Sequence, residues 1–367
     1  MENRNSLWKL VCLVILLTVG TFLFSYVAYV LDRNVFPSSL IDLWNRWDTA
    51  HYLDIAERGY SDIRISERHL RIVFFPFYPL LIKLFALVFQ NYLFSALLVS
   101  NLSYVIASIY LYKLASVDYP EEASLRAVFF FSIFPTAYFL HAGYTEGTYL
   151  ALTISSFYYA RKERWWLSCT IGMMATATRI TGIVLVPALL AEYLAQKEFK
   201  IRNLGKDVLW LALVPIGFLS YLTLNYLVYD YPLKFLEFQR EHWHEKAVFP
   251  WQGFLGAWEG IWRVKASAMT IYGWAQVISA ILGLLFTVYS FFYFRISYSI
   301  YMLLTLLIVT SASFWISLPR FVVTMFPMFI AFSLVGKREE VNYIIVFLSI
   351  LFYGLFLALF VQGRWAF

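Results

Sequence analysis

Residues 7–31 read LWKLVCLVILLTVGTFLFSYVAYVL, an apolar run whose one charge, Lys9, lies near its start. A helix of about 20 residues crosses a bilayer's hydrocarbon core, so this stretch is long enough to span one. Similar runs recur along the chain, for example over 208–228 and 343–361. Roughly eleven can be drawn, absorbing some 220 residues at about 20 each. The chain has 367 residues, 61% hydrophobic and 14% charged, and a mean hydropathy of +0.66. A soluble surface needs about a quarter of the chain charged. A soluble globular protein is thereby excluded. The runs are continuously apolar and do not alternate with period two, which selects helices over a membrane barrel. The expected fold class is an all-α polytopic membrane protein, a single integral-membrane domain over 1–367.

The net charge of +6 is what cytoplasmic loop bias produces, and no basic block interleaves with polar sequence, so nucleic acid is not an expected partner. Cys12 and Cys169 both lie in apolar runs, which offers neither a disulfide framework nor a thiolate metal site. The run 7–31 follows Arg4 and reads as an uncleaved signal anchor with its N-terminus inside. Short basic loops set the orientation of the rest: Arg161, Lys162 and Arg164; Lys197, Lys200, Arg202 and Lys206; Arg295; Lys337 and Arg338. Two long segments, 32–91 and 230–272, break the hydrophobic rhythm and read as extracytoplasmic loops. Within the first, 74–89 carries Pro76, Pro79 and a central Lys83. Lysine costs about 2.5–3.5 kcal/mol at a bilayer centre, so this stretch reads as re-entrant or interfacial. Spans are then expected over 7–31, 92–113, 125–142, 147–160, 165–180, 182–195, 207–229, 273–294, 298–317, 321–335 and 342–361, with every basic loop inside. The sequon at Asn101 falls within a span, where no glycan can be attached.

Chemistry-bearing residues collect on the opposite side. In Trp44-Asn45-Arg46-Trp47-Asp48-Thr49-Ala50-His51-Tyr52 a helix would line Trp44, Trp47, Asp48, His51, Ile55 and Arg58 along one stripe. Indoles belong at membrane interfaces, so one reading is an interfacial helix whose Asp48 caps it or pairs with Arg46. The other is a general base, since a carboxylate walled from water by indoles takes a hydroxyl proton more readily. Glu146, after Gly143-Tyr144-Thr145, starts a predicted span at its outer end: either a carboxylate on the helix dipole or a functional acid. Arg179 and Arg320 sit at outer helix ends in apolar surroundings; they either snorkel or clamp a phosphate, for which the guanidinium fork is shaped. His242-Trp243-His244, between Glu241 and Glu245, has i, i+2 histidines that diverge on a helix. It reads as a solvated loop face, and no metal is expected.

These motifs, in this order, resemble the membrane mannosyltransferases typified by glycosylphosphatidylinositol (GPI) mannosyltransferase II and its prokaryotic relatives. The resemblance runs from about residue 40 onward. Trp47-Asp48 with His51-Tyr52-Leu53, Ile55-Ala56 and Gly59-Tyr60 is similar to the family's first signature, and Phe74-Phe75-Pro76-Phe77-Tyr78-Pro79-Leu80 to its second. Shorter matches follow: Pro135 through Tyr144-Thr145-Glu146, Thr178-Arg179-Ile180-Thr181-Gly182, Pro319-Arg320-Phe321 with Phe326-Pro327, and Gln362-Gly363-Arg364-Trp365. The resemblance implies a GT-C glycosyltransferase fold and a polyprenyl-phosphate sugar as donor, with an acid of the first outer loop, Asp48 here, as catalytic base. It implies inverting transfer of a sugar, mannose in the first instance, to an extracytoplasmic lipid-linked glycan or other acceptor. On that basis His51, Tyr52 and Glu146 are expected to bind or orient substrate, and Arg179, Arg320 and Arg364 to hold the departing phosphate. No cofactor and no nucleotide-sugar site are expected, because no Rossmann glycine motif occurs. The setting would be a prokaryotic plasma membrane, or the ER membrane in a eukaryote. The rivals are another sugar on the same carrier, and a lipid or solute transporter. A transporter would show inverted repeats and polar residues at mid-membrane depth, whereas the polar residues here concentrate at one face.

Overall fold

The computed structural model describes residues 4–60, 69–243, 246–263 and 268–367. Its helices, in chain order, are α1 (Arg4–Arg33), α2 (Thr49–Arg58), α3 (Phe77–Phe89), α4 (Tyr92–Ala115), α5 (Glu121–Ile133), α6 (Glu146–Arg161), α7 (Trp165–Thr176) and α8 (Leu185–Gln196). They continue as α9 (Ile216–Tyr229), α10 (Lys234–Trp243), α11 (Pro250–Arg263), α12 (Ala268–Tyr293), α13 (Ile296–Thr310), α14 (Leu318–Val322), α15 (Pro327–Val335) and α16 (Glu339–Val361). Short 3₁₀ turns join several of them, and no strand occurs among the described residues beyond one isolated bridge, Ala247 to Ala312. The chain is an all-helical integral membrane protein. Among the described residues, five helical stretches are long and apolar enough to cross a bilayer: Ser6–Arg33, Tyr92–Ala115, Lys206–Tyr229, Thr270–Tyr293 and Glu339–Val361.

The remaining expected spans are shorter or broken, for local reasons. The run 125–142 ends as an α-helix at Ile133, because Pro135 has no N–H to donate, and resumes as a 3₁₀ turn over Ala137–Leu140. The run 298–317 stops at Thr310, and 321–335 is divided between α14 and α15, which begins at Pro327. α3, at 13 residues, reaches about 20 Å at 1.5 Å per residue, short of the hydrocarbon thickness. Helix starts obey ordinary rules. The Asn91 side chain accepts the Phe94 N–H at 2.9 Å to begin α4, and Glu121 and Glu122, then Glu339 and Glu340, occupy the first turns of α5 and α16, where the dipole favours anions.

The chain packs as two compact units. The first comprises the described residues of Met1–Glu57, Tyr78–Ser155 and Phe329–Ala366. In it α1, α4, α5 and α16 pack on one another. The Thr21 hydroxyl on α1 is satisfied internally: it donates to the Leu17 carbonyl at 2.8 Å and meets the Tyr353 hydroxyl at 2.6 Å. Lys9 pairs with Glu121 at 3.0 Å at one end of α1, and at the other Arg33 donates to the Gln362 carbonyl at 3.1 Å.

The second unit comprises the described residues of Arg58–Phe77 and Ser156–Met328, with Phe367. Glu192, fully buried near the end of α8, accepts from Arg295 at 2.8 and 3.0 Å and from Ser297 at 2.6 Å, with Arg161 at 3.6 Å. Two basic loops read as lying on one side of the membrane therefore converge on a single acid. At the far end of α7, α9 crosses closely at Gly217, where any Cβ would overlap the Met173 carbonyl.

Candidate active site

Asp48 sits at a break rather than on a continuous helical stripe. A 3₁₀ turn ends at Trp44, Trp47 takes φ = +49°, and α2 begins at Thr49. The Asp48 carbonyl accepts the N–H groups of His51 (3.0 Å) and Tyr52 (3.2 Å), so Asp48 occupies the position just before the helix. Its side chain is half-buried, as is that of His51. The expected stripe fails because left-handed backbone at Trp47 turns Trp44 away from the α2 face. Trp44 is instead fully buried against Phe22 and Phe360, at ring separations of 4.9 and 6.0 Å.

Tyr144 fastens this break to the turn that carries Glu146. Its hydroxyl donates to the Arg46 carbonyl at 3.2 Å and accepts the Asp48 N–H at 3.1 Å. The two segments approach so closely that a Cβ on Gly143 would lie 2.7 Å from the Thr49 methyl. Glu146, the first residue of α6, is fully buried. The N-terminus of α6 comes within reach of α4 because the next residue is glycine; a Cβ on Gly147 would be 3.1 Å from the carbonyls of both Ser100 and Leu140. Tyr52 is buried edge-on to Tyr78 at 5.1 Å, and Tyr78 bonds the Ser100 hydroxyl at 2.8 Å. Burial pushes the Tyr78 hydroxyl well above its ordinary pKa; neighbouring Tyr52 and Glu146 act in the same direction, and the Ser100 bond opposes them. In the first unit, then, Asp48, His51, Tyr52 and Glu146 belong to segments pinned together by Tyr144 and Gly143.

Reading the sequence alone missed the part that holds the turn from behind. Asn101, half-buried on α4, donates to the His141 carbonyl at 3.2 Å and accepts from His141 Nδ1 at 2.8 Å. The imidazole lies 4.6 Å from the Tyr104 ring. The Asn-Leu-Ser triplet is therefore structural at its asparagine. Arg364 has a partner of its own, Asp32, at 3.3 Å.

In the second unit Arg179 and Arg320 come together on one aromatic ring. Their guanidinium carbons lie 5.1 and 5.5 Å from the Phe321 centroid. Arg179 is 8% exposed and takes extended backbone (φ −152°) before a 3₁₀ turn. Gly182 is required in that turn, because a Cβ there would stand 2.6 Å from the Ala175 carbonyl. The second signature motif locks onto the same element. The Phe77 N–H donates to the Ala177 carbonyl at 3.1 Å, and Phe75 stacks on Tyr221 at 3.9 Å. Beside Phe321 opens a cavity of about 830 Å³, walled by Ile308, Phe314 and Trp315, with Thr181, Arg240 and Lys246 among its polar lining and no carboxylate among the described residues. His242 lies on α10 and bonds the Phe238 carbonyl through Nδ1 at 3.0 Å, while His244 and Glu245 lie outside the described residues.

This architecture defines a class. The fold is that of GT-C membrane glycosyltransferases: the solved ArnT from Cupriavidus metallidurans, a structure bound to undecaprenyl phosphate, superposes with a TM-score of 0.54 over 95% of this chain and 76% of that one, at 13% identity. Residues 75–248 match the family described as dolichyl-phosphate-mannose-protein mannosyltransferase. GPI alpha-1,6-mannosyltransferase 2 of Cricetulus griseus is 33% identical over 158 residues, and that of Homo sapiens 31% over 153. The resemblance to the GPI mannosyltransferase II family is thereby shown over the shared stretch. That stretch is 40% of this chain and 31% of the C. griseus protein, so the match spans about a third of the length of these curated relatives.

Proposed function

We propose that the chain is an inverting glycosyltransferase that moves a sugar, mannose in the first instance, from a polyprenyl-phosphate carrier to a lipid-linked glycan or other acceptor. Asp48 takes the proton of the acceptor hydroxyl, whose oxygen attacks C1 of the sugar. The bond from C1 to the phosphate oxygen breaks, its electron pair leaves with the phosphate, and the anomeric configuration inverts. Arg179 and Arg320, paired on Phe321, balance the charge of the departing phosphate, which then needs little proton donation. His51, Tyr52 and Glu146 orient the reacting sugar or acceptor. The cavity beside Phe321, largely apolar and lined by Arg240 and Lys246, suits a lipid phosphate. No cofactor is invoked.

One observation carries the reading: within a GT-C fold, Tyr144 joins Asp48 to the turn of the buried Glu146. The proposed setting is a prokaryotic plasma membrane, or the ER membrane in a eukaryotic cell, with chemistry on the extracytoplasmic side. Convergence of Arg161 and Arg295 on Glu192, distant along α7 and α8 from Arg179, supports that sidedness. The test is transfer by the purified chain from synthetic polyprenyl-phosphate mannose to a panel of synthetic mannosyl lipids, with polyprenyl-phosphate glucose and GDP-mannose as alternative donors. Transfer from the lipid-phosphate mannose is expected. Transfer from GDP-mannose alone would refute the donor class, and transfer from the glucose carrier alone would change the sugar.

A further inference from the structure

Trp47 directly precedes Asp48, and its φ of +49° lies in the left-handed region that bulky side chains seldom enter. A non-glycine residue stays there only if its surroundings hold it, and such outliers gather where function needs a fixed geometry. The stretch after α16 supplies those surroundings. The Trp365 indole lies edge-on to that of Trp47, ring centroids 5.2 Å apart. Arg46 Nη2 donates to the Val361 carbonyl at 2.9 Å. Gly363, at φ = +76°, passes close over Arg46; a Cβ there would meet Arg46 Nε at 3.9 Å.

The same stretch is itself well anchored. Tyr138 donates its hydroxyl to the Ala366 carbonyl, Arg33 donates to the Gln362 carbonyl, and Arg364 pairs with Asp32. Residues 46–48 are thus gripped by Tyr144 and by the 361–366 segment, and the carboxylate of Asp48 is presented from the backbone so gripped.

We propose that residues 361–366 form a positioning strap for Asp48, in which Trp365 holds Trp47 in its left-handed conformation and so sets the direction of the carboxylate. This rests on the role of Asp48 as base. Trp365 is a positioning residue that acts through Trp47, and Arg364 anchors the strap through Asp32. A base misdirected by a fraction of an ångström loses rate without losing donor binding.

The experiment compares Trp365→Ala with Trp365→Phe, which keeps an aromatic edge, in the full-length chain. Trp365→Ala is expected to lower kcat by about tenfold or more with donor KM unchanged, and Trp365→Phe to retain most of the rate. In a Trp47→Gly background, where left-handed backbone carries no side-chain penalty, the further loss from Trp365→Ala should shrink. Hydrogen exchange of the peptide covering 45–52 is the readout independent of turnover. It should quicken in Trp365→Ala and stay slow in Trp365→Phe. An unchanged kcat, an equal loss in both backgrounds, or unchanged exchange would each overturn the strap. If the wild-type chain transfers no sugar, the catalytic reading falls, and the exchange result alone still decides whether the strap holds 46–48.

Discussion

Arg179 and Arg320 are separated by 141 positions yet lie on one phenylalanine ring, so their proposed role on the donor phosphate is a joint one. Lysine keeps the charge but loses the planar fork and the stacking. Arg179→Lys and Arg320→Lys are therefore each expected to weaken use of a polyprenyl-phosphate donor by about 1–3 kcal/mol, read as a fall in kcat/KM at subsaturating donor. Unchanged kcat/KM in both would leave them as membrane anchors. The identity of these residues was legible because charge in apolar surroundings is conspicuous. Tyr144 and Asn101 were not, since each looks like one more aromatic or polar residue in a helix until the backbone atoms it meets are known. Trp47 was misjudged for a related reason: residue type says nothing of a left-handed φ at a tryptophan.

At the scale of elements, Glu192 shows what fixes the short helices. Buried beside Arg161 and Arg295, it joins the end of α6 and the start of α13 to α8. Removing one partner of a buried pair leaves the other charge uncompensated, so Glu192→Ala should cost about 3–5 kcal/mol, seen as a marked fall in the detergent melting temperature. A melt within a degree of the wild type would show the network to be dispensable. The existence of most helices was evident from apolar runs alone. Their ends were not, and 125–142 and 321–335 were each read as one span. Hydropathy cannot tell a helix from a buried turn of equal apolarity, and the stretch from Phe134 to Tyr144 is such a turn, as buried as the helices beside it. Pro135 and Pro327 were the available signals, and both mark a break.

For the whole molecule, the membrane reading turns on α3 not crossing. In a chain with Cys12 and Cys169 replaced by Ala, Phe36→Cys and Asn91→Cys should both label from the extracytoplasmic side. Labelling from opposite sides would make α3 a span and invert every loop after it. The fold class was open to inspection, because composition excluded solubility, and the ordered motifs pointed to the relatives that the chain resembles over the shared stretch. The proposed activity rests on Asp48 as base, and the most direct measurement is turnover of Asp48→Asn with polyprenyl-phosphate mannose, beside Glu146→Gln and a thermal melt of each. Asparagine keeps size and hydrogen bonding but cannot take the proton, so turnover should fall at least about 10²-fold with melting and donor binding retained. Near-normal turnover in Asp48→Asn, with Glu146→Gln inactive, would contradict the account and move the base to Glu146.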